Sequence, residues 1–159
     1  MRRLALISWT LVLVGCSTPL ETVSPDAGPV VRVVDGDTIH VQVGGVREKV
    51  RYIGVDTPET VRPGFGVECF GRAASAANAR LVAGERVRLE RDAEARDRYG
   101  RLLAYVYRER DGAFVNAALV HDGFASPLRV PPNVEHADEF LALSRDARRA
   151  GRGLWRACR

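Results

Sequence analysis

The sequence is nearly devoid of lysine, and it contains few aromatic residues and only three cysteines among its 159 residues. Lys49 is the single lysine, so arginine supplies all the other basic side chains. Arginine favours bidentate phosphate contacts, but the same bias also follows from genomic base composition, which is the simpler explanation. A net charge of +4 is too small to identify a nucleic-acid partner. With 46% hydrophobic and 28% charged residues, the composition excludes a disordered chain and indicates one packed domain.

Long hydrophobic runs are also lacking. The apolar run from Leu4 to Val14 is too short to span a bilayer as a helix, but it follows Arg2 and Arg3 as the core of a signal peptide does. The run ends at Cys16 in a sequence that resembles the bacterial lipobox, whose cysteine becomes acylated. The alternative is an ordinary signal peptide with a chance cysteine.

We therefore predict a signal peptide over residues 1–15, a lipidated tether over 16–29 and one domain over 30–159. The tether is rich in Ser, Thr and Pro and shows no periodicity, as expected of a linker. Ser17 is not the aspartate that retains lipoproteins at the inner membrane. We expect export, with the lipid in the outer membrane if the cell has one.

Two cysteines remain in the domain, Cys69 and Cys158. An even pair in an exported chain predicts a disulfide, and two free thiols are the alternative. Such a bridge would close a long loop and stabilise the fold by about 4–5 kcal/mol in the loop-entropy treatment.

The hydrophobic periodicity predicts an α+β protein that is mainly β. Strands are predicted over residues 30–34, 38–43, 49–55, 86–90 and 102–107, and helices from near 71 to a cap at Gly84, over 115–122 and over 136–150. This order suggests a five-stranded barrel with about three packed helices. The open end of such a barrel and its flanking loops form a natural oligonucleotide site.

Three polar clusters could carry chemistry. Asp35-Gly36-Asp37-Thr38 is, by itself, what a tight turn requires. The segment from Arg51 to Glu59 joins an arginine in an apolar strand to carboxylates at the strand end, which suits either a hard cation or a solvated loop. Asp97-Arg98-Tyr99-Gly100-Arg101 is, by itself, a polar turn into the last strand.

Together these clusters resemble the thermonuclease family, the proteins similar to staphylococcal nuclease. The motifs VDGDT, R-x-x-G-V-D-T-P-E and D-R-Y-G-R-x-L-A-Y-V occur in this order, and the resemblance covers about residues 30–156. It implies a barrel of the oligonucleotide-binding (OB) type that holds one Ca²⁺. It also implies a monomeric, calcium-dependent endonuclease that hydrolyses phosphodiester bonds of DNA and RNA and leaves 3′-phosphates.

The resemblance also implies the metal ligands. Asp37 and Asp56 match the carboxylate ligands, and Thr57 matches the residue that contributes its backbone carbonyl. Asp35 corresponds to an acidic position that supports the site without necessarily touching the metal. Oxygen ligands with few charges suit a hard cation bound with modest affinity.

The catalytic set follows from the same match. Glu59 corresponds to the general base for the attacking water, and Arg51 and Arg101 correspond to the pair that grips the scissile phosphate. Arg98 and Tyr99 match positions that hold the terminal phosphate of a bound nucleotide. A base beside the nucleophile and guanidinium groups facing the phosphate oxygens are what this hydrolysis requires.

Two segments depart from the family pattern, and the first is the loop from Thr60 to Glu68, which carries only Arg62 as a cation where the best-known member is lysine-rich. Residues 126–133, SPLRVPPN, lack the tyrosines that stack against the base in the best-known member, which leaves substrate affinity and base preference open. A non-catalytic nucleic-acid-binding lipoprotein on the same barrel is the alternative function. Because the catalytic set is complete, we expect an enzyme with DNA and RNA as substrates, attached to the membrane only through its lipid.

Overall fold

A computed structural model describes residues 26–60 and 66–158. Within these ranges the strands are β1 Ala27–Asp35, β2 Thr38–Val43, β3 Val46–Tyr52, β4 Val55–Asp56, β5 Arg86–Glu90, β6 Leu102–Arg108 and β7 Ser126–Pro127. The helices are α1 Gly71–Val82, α2 Val115–His121, α3 Ala137–Arg149 and α4 Leu154–Ala157. No helix in this part of the chain is long and apolar enough to cross a membrane. The predicted signal peptide and the lipidation site Cys16 lie outside the described residues.

Five strands form a closed barrel in the order β1-β2-β3-β6-β5. β1, β2 and β3 form an antiparallel meander, β3 pairs with β6 in parallel, and β5 pairs antiparallel with both β6 and β1. Ile39, Val41, Val50 and Tyr52 are fully buried inside the barrel, as the alternation in the sequence predicts. The predicted fold, α+β and mainly β with a five-stranded barrel, is confirmed; the short helix α4 is an addition.

The first strand begins three residues earlier than predicted. Ala27, Gly28 and Pro29 pair with Arg88, Val87 and Arg86 of β5, so the end of the predicted tether, 16–29, belongs to the sheet. This pairing closes the barrel. The sequence did not reveal it, because a three-residue segment containing Gly and Pro carries no strand signal.

The predicted strand 49–55 begins earlier, at Val46, where it pairs with Val43 across the hairpin, and it is interrupted at Gly54. This glycine has φ +76°, and a Cβ atom there would lie 2.5 Å from the ring of Phe140 in α3. The backbone therefore turns between β3 and β4, and β4 pairs with β7 rather than continuing in the barrel. The turn carries the following residues, 55–60, to one end of the barrel.

Two buried asparagines connect the helices to the barrel. Asn78 of α1 accepts the hydroxyl of Tyr52 (2.8 Å) and donates to the carbonyl of Asp35 (2.7 Å). Asn116 of α2 donates to the carbonyl of Ile53 (2.8 Å) and accepts the N–H of Val106 (3.0 Å). Because buried polar groups are costly when unpaired, these bonds fix the ends of β1 and β3 against the helices.

Cys69 and Cys158 form a disulfide with a Cα–Cα distance of 5.9 Å. It joins the residues just before α1 to the residue that follows α4. The disulfide therefore attaches the C-terminal end of the described chain to Cys69, which lies between the predicted catalytic residue Glu59 and helix α1.

Candidate active site

Asp37 lies buried in the tight turn between β1 and β2. Its Oδ2 accepts the backbone N–H of Thr57 (3.0 Å) and the Thr57 hydroxyl (2.9 Å), and its Oδ1 accepts the hydroxyl of Thr38 (2.9 Å). The carboxylate is therefore held in one orientation. Its bonds also fix the β1–β2 turn to the segment after β4, which brings two of the predicted clusters together.

Arg51 connects these same segments through its guanidinium group. Nη1 donates to the backbone carbonyls of Tyr52 (2.9 Å) and Val55 (2.7 Å). Nη2 lies 2.9 Å from Oδ1 of Asp56 and 3.3 Å from Oδ2 of Asp37. Only 13% of the Arg51 side chain is exposed. Its positive charge is thus fixed in place before any substrate binds.

The donor set around Asp37 and Asp56 fits a hard cation. Both carboxylates approach the same nitrogen of Arg51, so their oxygens converge on one region. Burial raises the pKa of Asp56; Arg51 lowers this pKa, and the negative charges of Asp37 and Glu68 raise it. No three His, Cys, Asp or Glu side chains of residues 26–60 and 66–158 cluster as a metal site. A cation here would therefore take its remaining ligands from backbone carbonyls, such as that of Thr57, and from water or substrate.

Glu59 lies among these carboxylates. Burial, followed by the negative charges of Asp35 and Asp37, a hydrogen bond with Asp35 and the charge of Asp56, raises the pKa of Glu59 above its usual value. Asp35 accepts the N–H of Gly36 (2.8 Å) and the hydroxyl of Thr60 (3.1 Å), so it supports the turn and this loop at once. A carboxylate with a raised pKa is a stronger proton acceptor, as a general base requires.

The loop that carries Glu59 packs against the start of α1. The Glu59 N–H donates to Oε2 of Glu68 (3.1 Å), and the Glu68 N–H donates to the carbonyl of Glu59 (3.0 Å). A Cβ atom on Gly71, the first residue of α1, would lie 2.5 Å from that carbonyl. Gly71 therefore permits the close approach. Sequence reasoning did not identify Glu68 or Gly71, because their contacts with Glu59 cross the loop.

Arg101 is held by Asp97, a residue to which the sequence assigned only a turn. Its Nε donates to Oδ2 of Asp97 (2.6 Å), while the N–H groups of Tyr99 (2.9 Å) and Arg101 (3.0 Å) donate to Oδ1. Burial raises the pKa of Asp97, but the hydrogen bonds from Arg101 and Tyr99 outweigh it and lower this pKa.

Arg51 and Arg101 line one cavity of about 500 Å³, together with Arg98 and Tyr99. Nη2 of Arg98 donates to the hydroxyl of Tyr99 (2.7 Å), so the two residues predicted to bind a terminal phosphate lie together. The predicted ligands and base do not line this cavity. They adjoin it through Arg51, which contacts both Asp37 and Asp56.

Part of the cavity wall is apolar. Leu103, Leu128 and Val130 contribute to its wall, and Leu128 and Val130 belong to the segment that lacks the family's tyrosines. Val130 is 55% exposed and Leu128 is 41% exposed. Aliphatic side chains of this segment therefore form part of the wall of the cavity that Arg51 and Arg101 also line.

Comparison with known proteins agrees with this geometry. The chain matches the family described as Staphylococcal nuclease homologue over residues 49–157. It is 36% identical over 139 residues to a Thermonuclease of Staphylococcus hyicus (87% of this chain, 81% of the relative) and 40% identical over 124 residues to a Thermonuclease of Staphylococcus intermedius (78% and 73%). It is also 41% identical over 126 residues to Endonuclease YncB of Bacillus subtilis (78% and 59%).

Proposed function

This chain belongs to the staphylococcal nuclease homologue family and is a nuclease, and we propose that it is a calcium-dependent endonuclease that cleaves DNA and RNA outside the cytoplasm. The observation that carries the proposal is the placement of Arg51. Its guanidinium lines the cavity with Arg101 and also contacts Asp37 and Asp56. A phosphate at Arg51 would lie next to the carboxylates that suit a cation.

The two arginines act on the phosphate. A diester seated between Arg51 and Arg101 receives charge-assisted hydrogen bonds on its non-bridging oxygens, which gain negative charge in the transition state. Arg101 donates its Nε–H to Asp97 and can offer its two Nη groups to the phosphate. Both Nη groups of Arg51, by contrast, already donate to Tyr52, Val55 and Asp56, so Arg51 offers its Nε–H and its fixed positive charge. Glu59 accepts the proton of a water that attacks in line with the leaving 5′-oxygen, and a 3′-phosphate remains.

Asp37, Asp56 and the carbonyl of Thr57 would hold the calcium ion. When bound, the ion supplies positive charge that stabilises the developing charge on the phosphate. Asp37 orients the site through its bonds to Thr57 and Thr38. Magnesium substitutes poorly, because it demands a tighter octahedral shell than this hydrogen-bonded carboxylate and its exposed partner provide.

The aliphatic wall of the cavity supports low base selectivity. Leu128 and Val130 offer apolar contact without aromatic stacking, which is worth about 1–3 kcal/mol per base where it occurs. Tyr99, an exposed aromatic residue in the cavity lining, is covered by the guanidinium groups of Arg98 and Arg101, so we propose that the enzyme depends on phosphate contacts more than on the base. We propose comparable activity on substrates that differ in base composition.

The direct test compares cleavage of single- and double-stranded DNA and of RNA with Ca²⁺, with Mg²⁺ and with chelator. We expect cleavage of all three polymers with calcium, little with magnesium, and products whose 3′ ends carry phosphate. Arg101→Ala is the control for contaminating nucleases, since it removes one of the two arginines proposed to bind the phosphate. Cleavage that persists in chelator, or products with 3′-hydroxyl ends, would contradict the proposal, and binding without cleavage would assign the non-catalytic alternative.

We also propose that the chain is exported and lipid-anchored through Cys16, after removal of residues 1–15. The short apolar run behind Arg2 and Arg3 and the cysteine at its end support this. Wild-type protein is expected in the membrane fraction and the Cys16→Ser variant in the soluble fraction. Recovery of the wild type without detergent in the soluble fraction would remove the anchor from the proposal.

A further inference from the structure

A row of basic side chains crosses the outer face of the barrel. Arg32 of β1 is the register partner of His40 of β2, and His40 is the partner of Lys49 of β3. Arg47 precedes Lys49 by two residues, so both lie on the same face of β3. We call Arg32, His40, Arg47 and Lys49 the basic strip.

The strip points to solvent rather than into the core. Ile39 and Val41 flank His40, Val50 follows Lys49, and all three are fully buried inside the barrel. Since successive strand residues face opposite sides, His40 and Lys49 face outward. Arg32, Arg47 and Lys49 are exposed and His40 is partly exposed.

Little negative charge opposes this strip. Within the described part of the chain, Arg32, Arg47 and Lys49 form no ion pair. The nearby Glu48 is instead paired with Arg96 (2.7 Å). Nε of Arg47 donates to Nδ1 of His40 (3.2 Å). The register places Arg32 and Lys49 on either side of His40, and burial, followed by the positive charges of Arg47, Lys49 and Arg32, lowers the pKa of His40.

The strip is continuous with the candidate active site. Arg51 is two residues beyond Lys49 on the same face of β3, and it lines the cavity. At about 3.3 Å per strand residue, Lys49 lies about 7 Å and Arg47 about 13 Å from Arg51 along β3. Successive phosphates of a stacked strand advance about 3.4 Å each. The part of the strip on β3, from Arg51 to Arg47, therefore spans about four nucleotide steps away from the scissile phosphate.

We propose that the basic strip binds the phosphates of a polynucleotide strand that leaves the cavity past Arg51 and runs along β3. This rests on the proposed nuclease function and extends its substrate site to polymers several nucleotides long. An anionic lipid surface offers similar phosphate chemistry. The continuity of the strip with Arg51 favours nucleic acid. A polynucleotide strand can contact both the cavity and the strip, whereas binding to a flat membrane does not require the strip to lie next to the cavity.

The experiment compares Arg47→Ala/Lys49→Ala with a control pair, Arg145→Ala/Arg149→Ala, which removes two exposed charges from α3. Fluorescence anisotropy in chelator measures binding of a single-stranded DNA of about 16 nucleotides, and of a dinucleotide by competition. We expect the strip variant to bind the longer DNA about tenfold more weakly, with a salt dependence shallower by about 1.4 in log–log slope, from two lost contacts at about 0.7 each.

The control pair tests whether a loss of affinity is specific to the strip, and the dinucleotide tests whether it is specific to longer DNA. Dinucleotide affinity is expected to change by less than about twofold, since its phosphates reach only the cavity. An equal loss in the α3 control pair, or an equal loss for the dinucleotide, would overturn the strip as a specific surface. So would a strip variant that loses binding to anionic vesicles but keeps its affinity for DNA.

The failure of this inference differs from the failure of the proposed function. If the wild type cleaves DNA with calcium and the strip variant binds DNA with unchanged affinity, the strip has no role in binding and the proposed nuclease function stands. A wild type that binds neither the dinucleotide nor the longer DNA and cleaves neither removes both.

Discussion

Arg51 and Arg101 line the same cavity, but their surroundings differ. Arg51 donates to two backbone carbonyls that flank the β3–β4 turn, and it contacts two carboxylates. Arg101 is bound to the side chain of Asp97, and 27% of its side chain is exposed. Arg51 therefore stabilises the local backbone in addition to its proposed contact with the phosphate, whereas the side-chain hydrogen bonds of Arg101 described above are with Asp97 alone.

Arg→Lys substitutions should separate these roles. Both Arg51→Lys and Arg101→Lys are expected to lower kcat by about 10²–10³-fold or more, because one ammonium can neither make two parallel bonds to a phosphate, as Arg101 would, nor hold two carbonyls and a phosphate at once, as Arg51 would. Arg51→Lys should also lower the unfolding free energy by about 1–3 kcal/mol, since it leaves two carbonyls short of a donor. Steady-state kinetics and thermal unfolding measure both effects, and an equal loss of stability in Arg101→Lys would contradict the assignment.

The two predicted carboxylate ligands also differ at the residue scale. Asp37 is buried and accepts three hydrogen bonds, while the side chain of Asp56 is 56% exposed. Asp37→Asn and Asp56→Asn should each raise the calcium concentration needed for half-maximal activity. Only Asp37→Asn should reduce stability, by about 1–3 kcal/mol. Calcium titrations of the rate test the first point, and an unchanged titration for both variants would exclude this pair as ligands.

At the scale of elements, the disulfide connects fold and site. Cys69 follows Glu68, whose backbone and carboxylate bind the backbone of Glu59, and Cys158 follows α4. The bridge spans 89 residues of sequence. It therefore restricts the unfolded chain strongly, and in the folded chain it holds the segment against which the Glu59 loop packs.

Cys69→Ser/Cys158→Ser should lower the unfolding free energy by about 4–5 kcal/mol in the loop-entropy treatment. It should also lower kcat by about threefold or more at temperatures where the variant is folded, because small displacements of a catalytic group are costly. Urea unfolding and kinetics of the variant, beside the wild type with and without reductant, measure both quantities. A folded variant with wild-type kcat would show that the bridge stabilises the domain without orienting Glu59.

At the scale of the whole molecule, Asp92 ties the barrel to the helical layer. Its carboxylate accepts the hydroxyl of Tyr105 in β6 (2.9 Å) and the N–H groups of Ala93 (2.7 Å) and Glu135 (3.1 Å), the last just before α3. Burial raises the pKa of Asp92, but the hydrogen bonds from Glu135, Ala93 and Tyr105 outweigh it and lower this pKa. Asp92 therefore stabilises the fold when ionised.

A lowered folded-state pKa means that this stabilisation is present above the unfolded pKa of about 3.9 and is lost as the pH falls through the folded value. Asp92→Asn is expected to lower the unfolding free energy by about 1–2 kcal/mol at about pH 7 and by less at a pH below the unfolded value of about 3.9. Tyr105→Phe removes one of the three bonds and should cost less at neutral pH. Urea unfolding at both pH values tests this, and an equal cost at both would contradict the role of the charge.

Much of the fold was predictable because the alternation of apolar and polar residues in strands and the glycine caps that end helices are local signals. β2 and β5 have the predicted bounds, and the Gly84 cap lies two residues beyond α1. The start of β3, predicted at residue 49, lies at Val46, beside its hairpin partner Val43. The misplaced boundaries at Ala27 and Gly54, by contrast, are set by partners distant in sequence, namely β5 and Phe140. Local periodicity contains no information about such partners.

The amino-acid sequence by itself determined the strand pattern, the family and the residue types that this chemistry needs, because each depends on neighbours along the chain. Only the tertiary structure decided how they meet: Arg51 between Asp37 and Asp56, Arg101 on Asp97, and Leu128 at the cavity wall. These contacts depend on barrel closure and on the turn at Gly54, which arise from pairings between distant segments. Orientation and distance follow from those pairings rather than from any local pattern.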